Sequence, residues 1–116
     1  MVEYRSPALD RVFAAMADPT RRAIVGALAR GPAKVTEIAR PFPMSLNAVS
    51  KHIKALERAG LVRRTVVGRE HYCRLEPRPL RRAAAWLEHH RVFWEARLDA
   101  LERHVAAQRT RAGARS

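Results

Sequence analysis

The hydrophobic pattern predicts three helices within the first part of the chain. Apolar side chains in Pro7–Ala17 share one face at helical spacing, and Ser6 precedes them as a suitable N-cap. A second helix is expected to begin at Asp18–Pro19, because Asp is a good N-cap and Pro is tolerated at the first helical position. Gly31–Pro32 ends it. The third helix, Val35–Arg40, is short because two prolines follow.

A fourth helix has the clearest boundaries in the sequence. Ser45 suits its N-cap, and Gly60 suits the left-handed position that ends a helix. Its apolar residues recur at steps of three, four and three residues and are expected to face inward: Leu46, Val49, Ile53 and Leu56. The outward face is then polar and basic.

After the fourth helix the apolar period changes from 3.6 to about two residues. Residues 61–67 and 70–75 are rich in Val, Thr, Tyr and aliphatic side chains, which is typical of strands. Gly68–Arg69 between them suits a two-residue type II′ hairpin turn. Neither Pro nor Gly occurs in residues 80–107, so a long fifth helix is predicted there, while residues 108–116 are expected to form a basic disordered tail.

The fifth helix carries more apolar surface than a small domain can cover. One stripe contains Leu80, Ala84, Leu87, Trp94, Leu98, Leu101 and Val105, and a second contains Trp86 and Phe93. Part of this helix is therefore expected to bury against a partner chain.

Length and composition narrow the class of protein. The chain has 116 residues, and its formal net charge of +12 favours a polyanionic partner such as nucleic acid. Its size fits one domain, residues 1–107, followed by the tail. A single cysteine excludes an internal disulfide, and no apolar run is long enough to span a bilayer, so we expect a cytoplasmic protein without membrane contact. No phosphate loop, nucleophile pair or carboxylate pair suggests an enzyme.

This order of elements predicts a mainly α winged helix-turn-helix of five helices plus a β-hairpin wing that binds double-stranded DNA. Small polar side chains on the fourth helix suit base edges, and hydroxyl or basic groups there and on the wing suit phosphates. Asn47 and Ser50 are the predicted base contacts. The full predicted DNA-binding set is Ser45, Asn47, Ser50, Lys51, His52, Lys54, Arg64 and Arg69.

Several segments carry a family resemblance. They are Ala17–Arg22, Ser45–Lys54, Leu56–Val62, Gly68–His71, and Trp86–Leu87 to Phe93–Trp94 with Arg97–Asp99. Together they resemble the ArsR/SmtB family of bacterial winged-helix repressors, in a branch that lacks the usual metal cysteines. The resemblance covers about Leu9 to Leu101.

The resemblance implies a homodimer built from the first and last helices. Such a dimer would bind an inverted-repeat operator near a promoter and repress transcription until an unidentified inducer or partner protein releases it. This agrees with the uncovered apolar surface of the fifth helix. The predicted interface residues are Leu9, Phe13, Trp86, Leu87, Phe93, Trp94, Leu98 and Leu101.

The family's metal sites match this sequence poorly, so neither a metal nor another cofactor is predicted. Val35–Arg40 has no cysteine where the thiolate site of arsenic, cadmium and lead sensors begins. At the zinc site of the last helix the closest fit is Glu88, His90, Leu101 and His104, in which Leu101 replaces a ligand. Glu88, His90 and His104 thus remain only as weak candidates.

Three other interpretations stay open at this stage. A basic winged helix could serve as an architectural protein that binds DNA without sequence preference, or as a protein-interaction module that uses the fifth helix. A metal-responsive repressor would use the weak site just described.

Cys73 is expected to be a small buried hydrophobe, with a thiol redox switch as its alternative.

Overall fold

The computed structural model describes residues 6–114, with side chains through residue 113. Its elements are helices α1 (Pro7–Met16), α2 (Pro19–Leu28), α3 (Val35–Ala39), α4 (Leu46–Arg58) and α5 (Pro77–Ala114), and strands β1 (Ala33–Lys34), β2 (Val62–Val67) and β3 (Glu70–Leu75). Two compact units divide the chain after Ala83, and each is described by itself. Within the described residues, no helix has the length and apolar character that crossing a membrane requires.

Side-chain caps begin the first two helices as the sequence predicts. Ser6 Oγ accepts the backbone N–H of Leu9 at 3.3 Å at the start of α1. Asp18 Oδ2 accepts the backbone N–H of Arg21 at 2.9 Å at the start of α2. Each helix has proline in its first turn, where the missing N–H has no partner to lose.

Local signals also set both ends of α4. Ser45 Oγ accepts the backbone N–H of Ala48 at 3.1 Å. At the other end Gly60 has φ 76°, its N–H donates to the carbonyl of Glu57, and the N–H of Leu61 donates to the carbonyl of Leu56. These two bonds form a Schellman motif, which requires the left-handed conformation that glycine adopts without strain.

The wing is a three-stranded antiparallel sheet in the order β1–β3–β2. Val62 to Val67 pair with Leu75 to Glu70, and the two-residue turn has φ 65° at Gly68, as a type II′ hairpin requires. The short strand β1 was not expected. It pairs Ala33 with Cys73, and its two residues have no periodicity that would reveal a strand in the sequence.

The core lies between the helices of the first unit and the inner face of the sheet. Its fully buried side chains are Ile24, Val49, Ile53, Leu56, Leu61 and Cys73. Three of the four α4 residues expected in the core are there. The fourth, Leu46, is 51% exposed, so its predicted burial is wrong. It occupies the first turn of α4, where helical spacing is correct but the side chain lines an open pocket instead of the core.

Helix α5 is longer at both ends than residues 80–107. It begins at Pro77 because prolines in a first turn sacrifice no helical hydrogen bond. It continues through Ala114, so residues 108–114 are helical where a disordered tail was expected, and residues 115–116 lie outside the described residues. Ala and Arg, which are frequent in this stretch, are strong helix formers even without an apolar stripe.

Candidate nucleic-acid interface

One side of α4 presents a stripe of polar and basic side chains. At about 100° per residue, Asn47, Ser50, Lys51 and Lys54 fall on one side of the helix, and Val49 and Ile53 fall on the side that is buried. Asn47, Lys51 and Lys54 are exposed, and Ser50 is half-buried. We call these four residues the α4 stripe. Their amide, hydroxyl and ammonium groups can donate to base edges or phosphates.

Ser45, a further predicted contact, precedes this stripe and is also exposed. Its oxygen is occupied as the cap of α4. A hydroxyl has one donor in addition to its acceptor sites, so the Ser45 hydrogen remains available to an incoming anion.

His52, which belongs to the predicted set, lies apart from the α4 stripe. Its ring is half-buried, and Nδ1 lies 3.8 Å from Oδ2 of Asp18 at the start of α2. The pKa of Asp18 is below its ordinary value of 3.8, chiefly because its carboxylate accepts the backbone N–H of Arg21, with a smaller contribution from His52. His52 therefore contacts the adjoining helix.

Arg64 is also engaged within the protein. Its Nη2 donates to Oε1 of Glu57 at 2.9 Å, and its side chain is 21% exposed. Its Nε is buried and has no hydrogen-bond partner within the described part of the chain. The guanidinium thus joins strand β2 to helix α4 and is not freely available to a ligand.

The tip of the wing presents Arg69 to solvent and is fixed by its neighbours. Glu70 Oε2 lies 2.9 Å from Nζ of Lys34 and accepts the hydroxyl of Tyr72 at 3.0 Å. The hydrogen bond between Lys34 and Glu70 raises the pKa of Lys34 and lowers that of Glu70. Lys34 could not be predicted from the sequence, because its partner is distant along the chain and β1 carries no local signal.

An open pocket of about 360 Å³ separates the start of α4 from the wing. Its lining residues are Lys34, Val35, Thr36, Leu46, Arg64, Arg69, Glu70 and His71. Leu46 supplies an exposed apolar wall directly beside Asn47. Apolar side chains of this kind can contact the methyl group of thymine, so Leu46 is a candidate that hydrophobic periodicity assigned to the core.

In the second unit, α5 exposes an apolar seam. Leu87, Trp94 and Leu101 recur every seven residues, and Ala84, Leu98 and Val105 follow the same heptad spacing of paired helices with Arg91 between the first two. Arg91 interrupts the seam and bonds to Glu88 and Glu95 on its own helix. The predicted interface residues in this unit are all exposed: Trp86, Leu87, Phe93, Trp94, Leu98 and Leu101.

The two interface residues predicted on α1 differ in exposure. Phe13 is exposed, and Leu9 is partly buried against the core of the first unit. Both lie on the same side of the helix, since they are four residues apart.

The weak metal candidates do not meet within one chain. Glu88 is bonded to Arg91. His90 Nδ1 donates to the carbonyl of Trp86 at 2.8 Å, and its ring contacts those of Trp86 and Trp94. His104 lies sixteen residues beyond Glu88, about 24 Å along the helix. Among the described residues no three His, Cys, Asp or Glu side chains converge on one point. A site made of the three candidates would require two chains.

Cys73 is fully buried on β3, as the sequence predicts. Burial raises the pKa of its thiol, an effect that nearby Arg64 only partly offsets. The thiol is therefore protonated at neutral pH, whereas a reactive cysteine needs an accessible thiolate. This environment disfavours the redox-switch alternative.

Comparison with known proteins agrees with this arrangement. A family model described as a helix-turn-helix domain matches residues 16–65. The HTH-type transcriptional regulator Rv2034 of Mycobacterium tuberculosis is 49% identical over 77 residues, which are 66% of this chain and 70% of that relative. The crystal structure of an ArsR family transcriptional regulator is 44% identical, with a TM-score of 0.73, over 82% of this chain and 97% of its own.

A second solved structure is more distant in sequence. It is the solution structure of the homodimeric winged helix-turn-helix DNA-binding domain Mb0332 from Mycobacterium bovis. It is 26% identical with a TM-score of 0.58, over 84% of this chain and 94% of its own.

Proposed function

Because this chain belongs to the ArsR family of winged helix-turn-helix transcriptional regulators, we propose that it is a homodimeric repressor of an inverted-repeat operator. The chain is a DNA-binding regulator of transcription and not an enzyme. The observation that carries the proposal is the exposed α4 stripe, which lies opposite the buried face of the same helix and next to a basic wing tip.

Base recognition is assigned to the first turns of α4. The N-terminal residues of a recognition helix are those that contact base edges in the major groove. The Asn47 amide matches the donor and acceptor pattern of adenine, and the Ser50 hydroxyl can donate or accept. Leu46, exposed beside them, adds an apolar contact suited to a thymine methyl group.

Phosphate contacts are assigned to the residues that flank these positions. Lys51 and Lys54 extend from α4, Ser45 precedes it, and Arg69 occupies the turn of the wing. We omit His52 and Arg64 from this set, because both side chains are engaged with carboxylates of the protein. Phosphate neutralisation by the remaining cations, assisted by the net charge of +12, supplies salt-dependent affinity.

Dimerisation is assigned to the apolar seam of α5 together with α1. Paired helices bury heptad positions such as Leu87, Trp94 and Leu98, which are exposed in a single chain. The homodimeric state of Mb0332 supports this assignment. A two-fold axis would place the two recognition helices on half-sites about 34–36 Å apart, one turn of DNA.

Footprinting on DNA upstream of the protein's own gene tests the proposal. We expect two protected half-sites related by inverted symmetry, with centres about 10 base pairs apart, and protection that survives excess random duplex. If protection is uniform along the DNA and excess random duplex abolishes it, the protein is instead an architectural protein that binds DNA without sequence preference. Repeating the footprint with zinc present tests the metal-responsive alternative, in which zinc would release the operator.

A further inference from the structure

Three arginines from three different helices surround an open pocket on another part of the first unit. They are Arg11 of α1, Arg21 of α2 and Arg58 of α4, and the pocket has a volume of about 300 Å³. The other residues that line it are the small apolar side chains of Ala14, Ala15, Ala55 and Ala59. We call this feature the arginine pocket. No carboxylate is among its lining residues in the described part of the chain.

Within residues 6–113, none of the three guanidinium groups of the arginine pocket forms an ion pair with a carboxylate. The Nε of Arg21 is buried and makes no hydrogen bond to any described residue. Asp18 accepts the backbone N–H of Arg21, and its carboxylate is attracted to the guanidinium without a direct ion pair between the two side chains. A buried donor without an acceptor is unfavourable, so a ligand that supplies an acceptor to this N–H would gain binding free energy.

We propose that the arginine pocket binds a small organic anion, a carboxylate or phosphate carried on a compact apolar group. Guanidinium groups present a planar fork of donors that matches the oxygens of carboxylate and phosphate. The alanine methyl groups offer apolar contact to the body of such a ligand. A volume of about 300 Å³ is at the lower end of the usual range for ligand pockets, which indicates a small molecule.

The pocket lies away from the turns of α4 that are assigned to bases. Arg58 lies eleven residues beyond Asn47, about 16 Å along α4, although it follows the proposed phosphate contact Lys54 by one helical turn. Ala55 falls on the side of α4 that adjoins the other helices of this pocket. On α1, Arg11 projects about 160° from Phe13, on the side opposite the proposed dimer contacts.

Titration of the full-length protein with benzoate and with phenyl phosphate, at constant chloride ionic strength, tests this inference. Binding is followed by calorimetry and by the NMR signals of the arginine Nε–H groups. We expect saturable binding of at least one probe and a shift of the Arg21 Nε–H signal. Arg21→Gln should weaken binding at least about tenfold, which corresponds to 1.4 kcal/mol.

Arg78→Gln is the matched control, because it removes one exposed arginine outside the pocket. Its affinity for the probes should equal that of the wild type, and thermal unfolding should show that both variants are folded. Equal affinities of Arg21→Gln and Arg78→Gln would overturn the proposal. The proposal would also fail if the wild type bound neither probe while Arg21→Gln and Arg58→Gln weakened DNA binding. The arginines would then bind the phosphates of DNA. No probe measurement involves DNA, so a failure of operator recognition leaves its outcome unaffected.

Discussion

Nη2 of Arg64 donates to Oε1 of Glu57 across a distance of 2.9 Å, and this bond joins the wing to the recognition helix. Both side chains are largely withdrawn from solvent. A charged hydrogen bond in such a position fixes the orientation of one element relative to the other. Arg64 thus holds strand β2 against helix α4, whereas the sequence suggested a direct contact with DNA.

Arg64→Ala is expected to destabilise the fold. Removal of the guanidinium leaves Glu57 without its partner, so the free energy of unfolding should fall by about 1–3 kcal/mol. Urea unfolding measures the change. Arg63→Ala on the same strand is the control, since loss of that exposed side chain should lower the free energy of unfolding by at most about 1 kcal/mol. Unchanged stability together with lost DNA affinity would restore Arg64 to the DNA-contacting set.

Two substitutions at Ser45 separate its structural and its binding role. Ser45→Ala removes the cap of α4 and should lower the free energy of unfolding by about 1 kcal/mol. Ser45→Asp preserves a capping oxygen and should keep stability, but its negative charge should weaken binding to every duplex. Thermal unfolding and fluorescence anisotropy provide the two readouts. Full DNA affinity in the Asp variant would show that phosphate does not approach Ser45.

Loss of Asn47 should lower sequence preference, whereas loss of Lys54 should lower the affinity for all DNA. Asn47→Ala should reduce the preference for operator over random duplex by about 1–3 kcal/mol, since an adenine contact is lost. Lys54→Ala should weaken both duplexes alike and reduce the salt slope of log Kd by about one. Competition binding at several salt concentrations distinguishes these effects. An equal loss on both duplexes for Asn47→Ala would contradict its assignment to a base.

The cap of α2 predicts a pH dependence of stability. The pKa of Asp18 is lowered in the folded state, so its contribution is present above about pH 4 and is lost as pH falls through the folded value. Asp18→Asn keeps a good cap but cannot be ionised. The stability advantage of the wild type over this variant should therefore shrink between pH 6 and about pH 3 in urea unfolding. Asp99→Asn controls for the loss of one carboxylate, and a constant difference for Asp18→Asn would contradict the prediction.

The seam of α5 can be tested with two substitutions of similar exposure. Leu98→Asp places a charge within the seam and should raise the dimer dissociation constant at least about a hundredfold, or 2.7 kcal/mol. Val92→Asp, about 120° away around the helix, should leave it unchanged. Sedimentation equilibrium measures both. Similar behaviour of the two variants would place the dimer contact elsewhere.

Local chemistry explains why much of this fold can be predicted from the sequence. The caps at Ser6, Asp18 and Ser45 act within three residues of themselves, and Gly60 ends α4 through bonds to the preceding turn. Signals of this kind depend only on residues that are close together in the sequence. The order of these elements gave the winged helix-turn-helix architecture and DNA binding, and the family resemblance added the homodimer and the repression of an operator.

Features that depend on distant pairing could not be predicted in this way. Strand β1 exists because Ala33 meets Cys73, and Arg64 is occupied because Glu57 lies one helix away. Leu46 has the spacing of a core residue, yet exposure depends on which element covers it. The orientation of His52 toward Asp18 likewise follows from the packing of α2 against α4.

The Schellman motif after α4 leaves three residues between Arg58, which ends the helix, and Val62, which begins β2. The backbone N–H groups of Ala59, Gly60 and Leu61 all donate to carbonyls of α4, and Gly60 is the one left-handed residue of the link. In the proposed complex, the separation between the bases assigned to α4 and the DNA backbone assigned to the wing would therefore be set by the protein. Its operators would differ from one another in sequence while sharing one length of half-site.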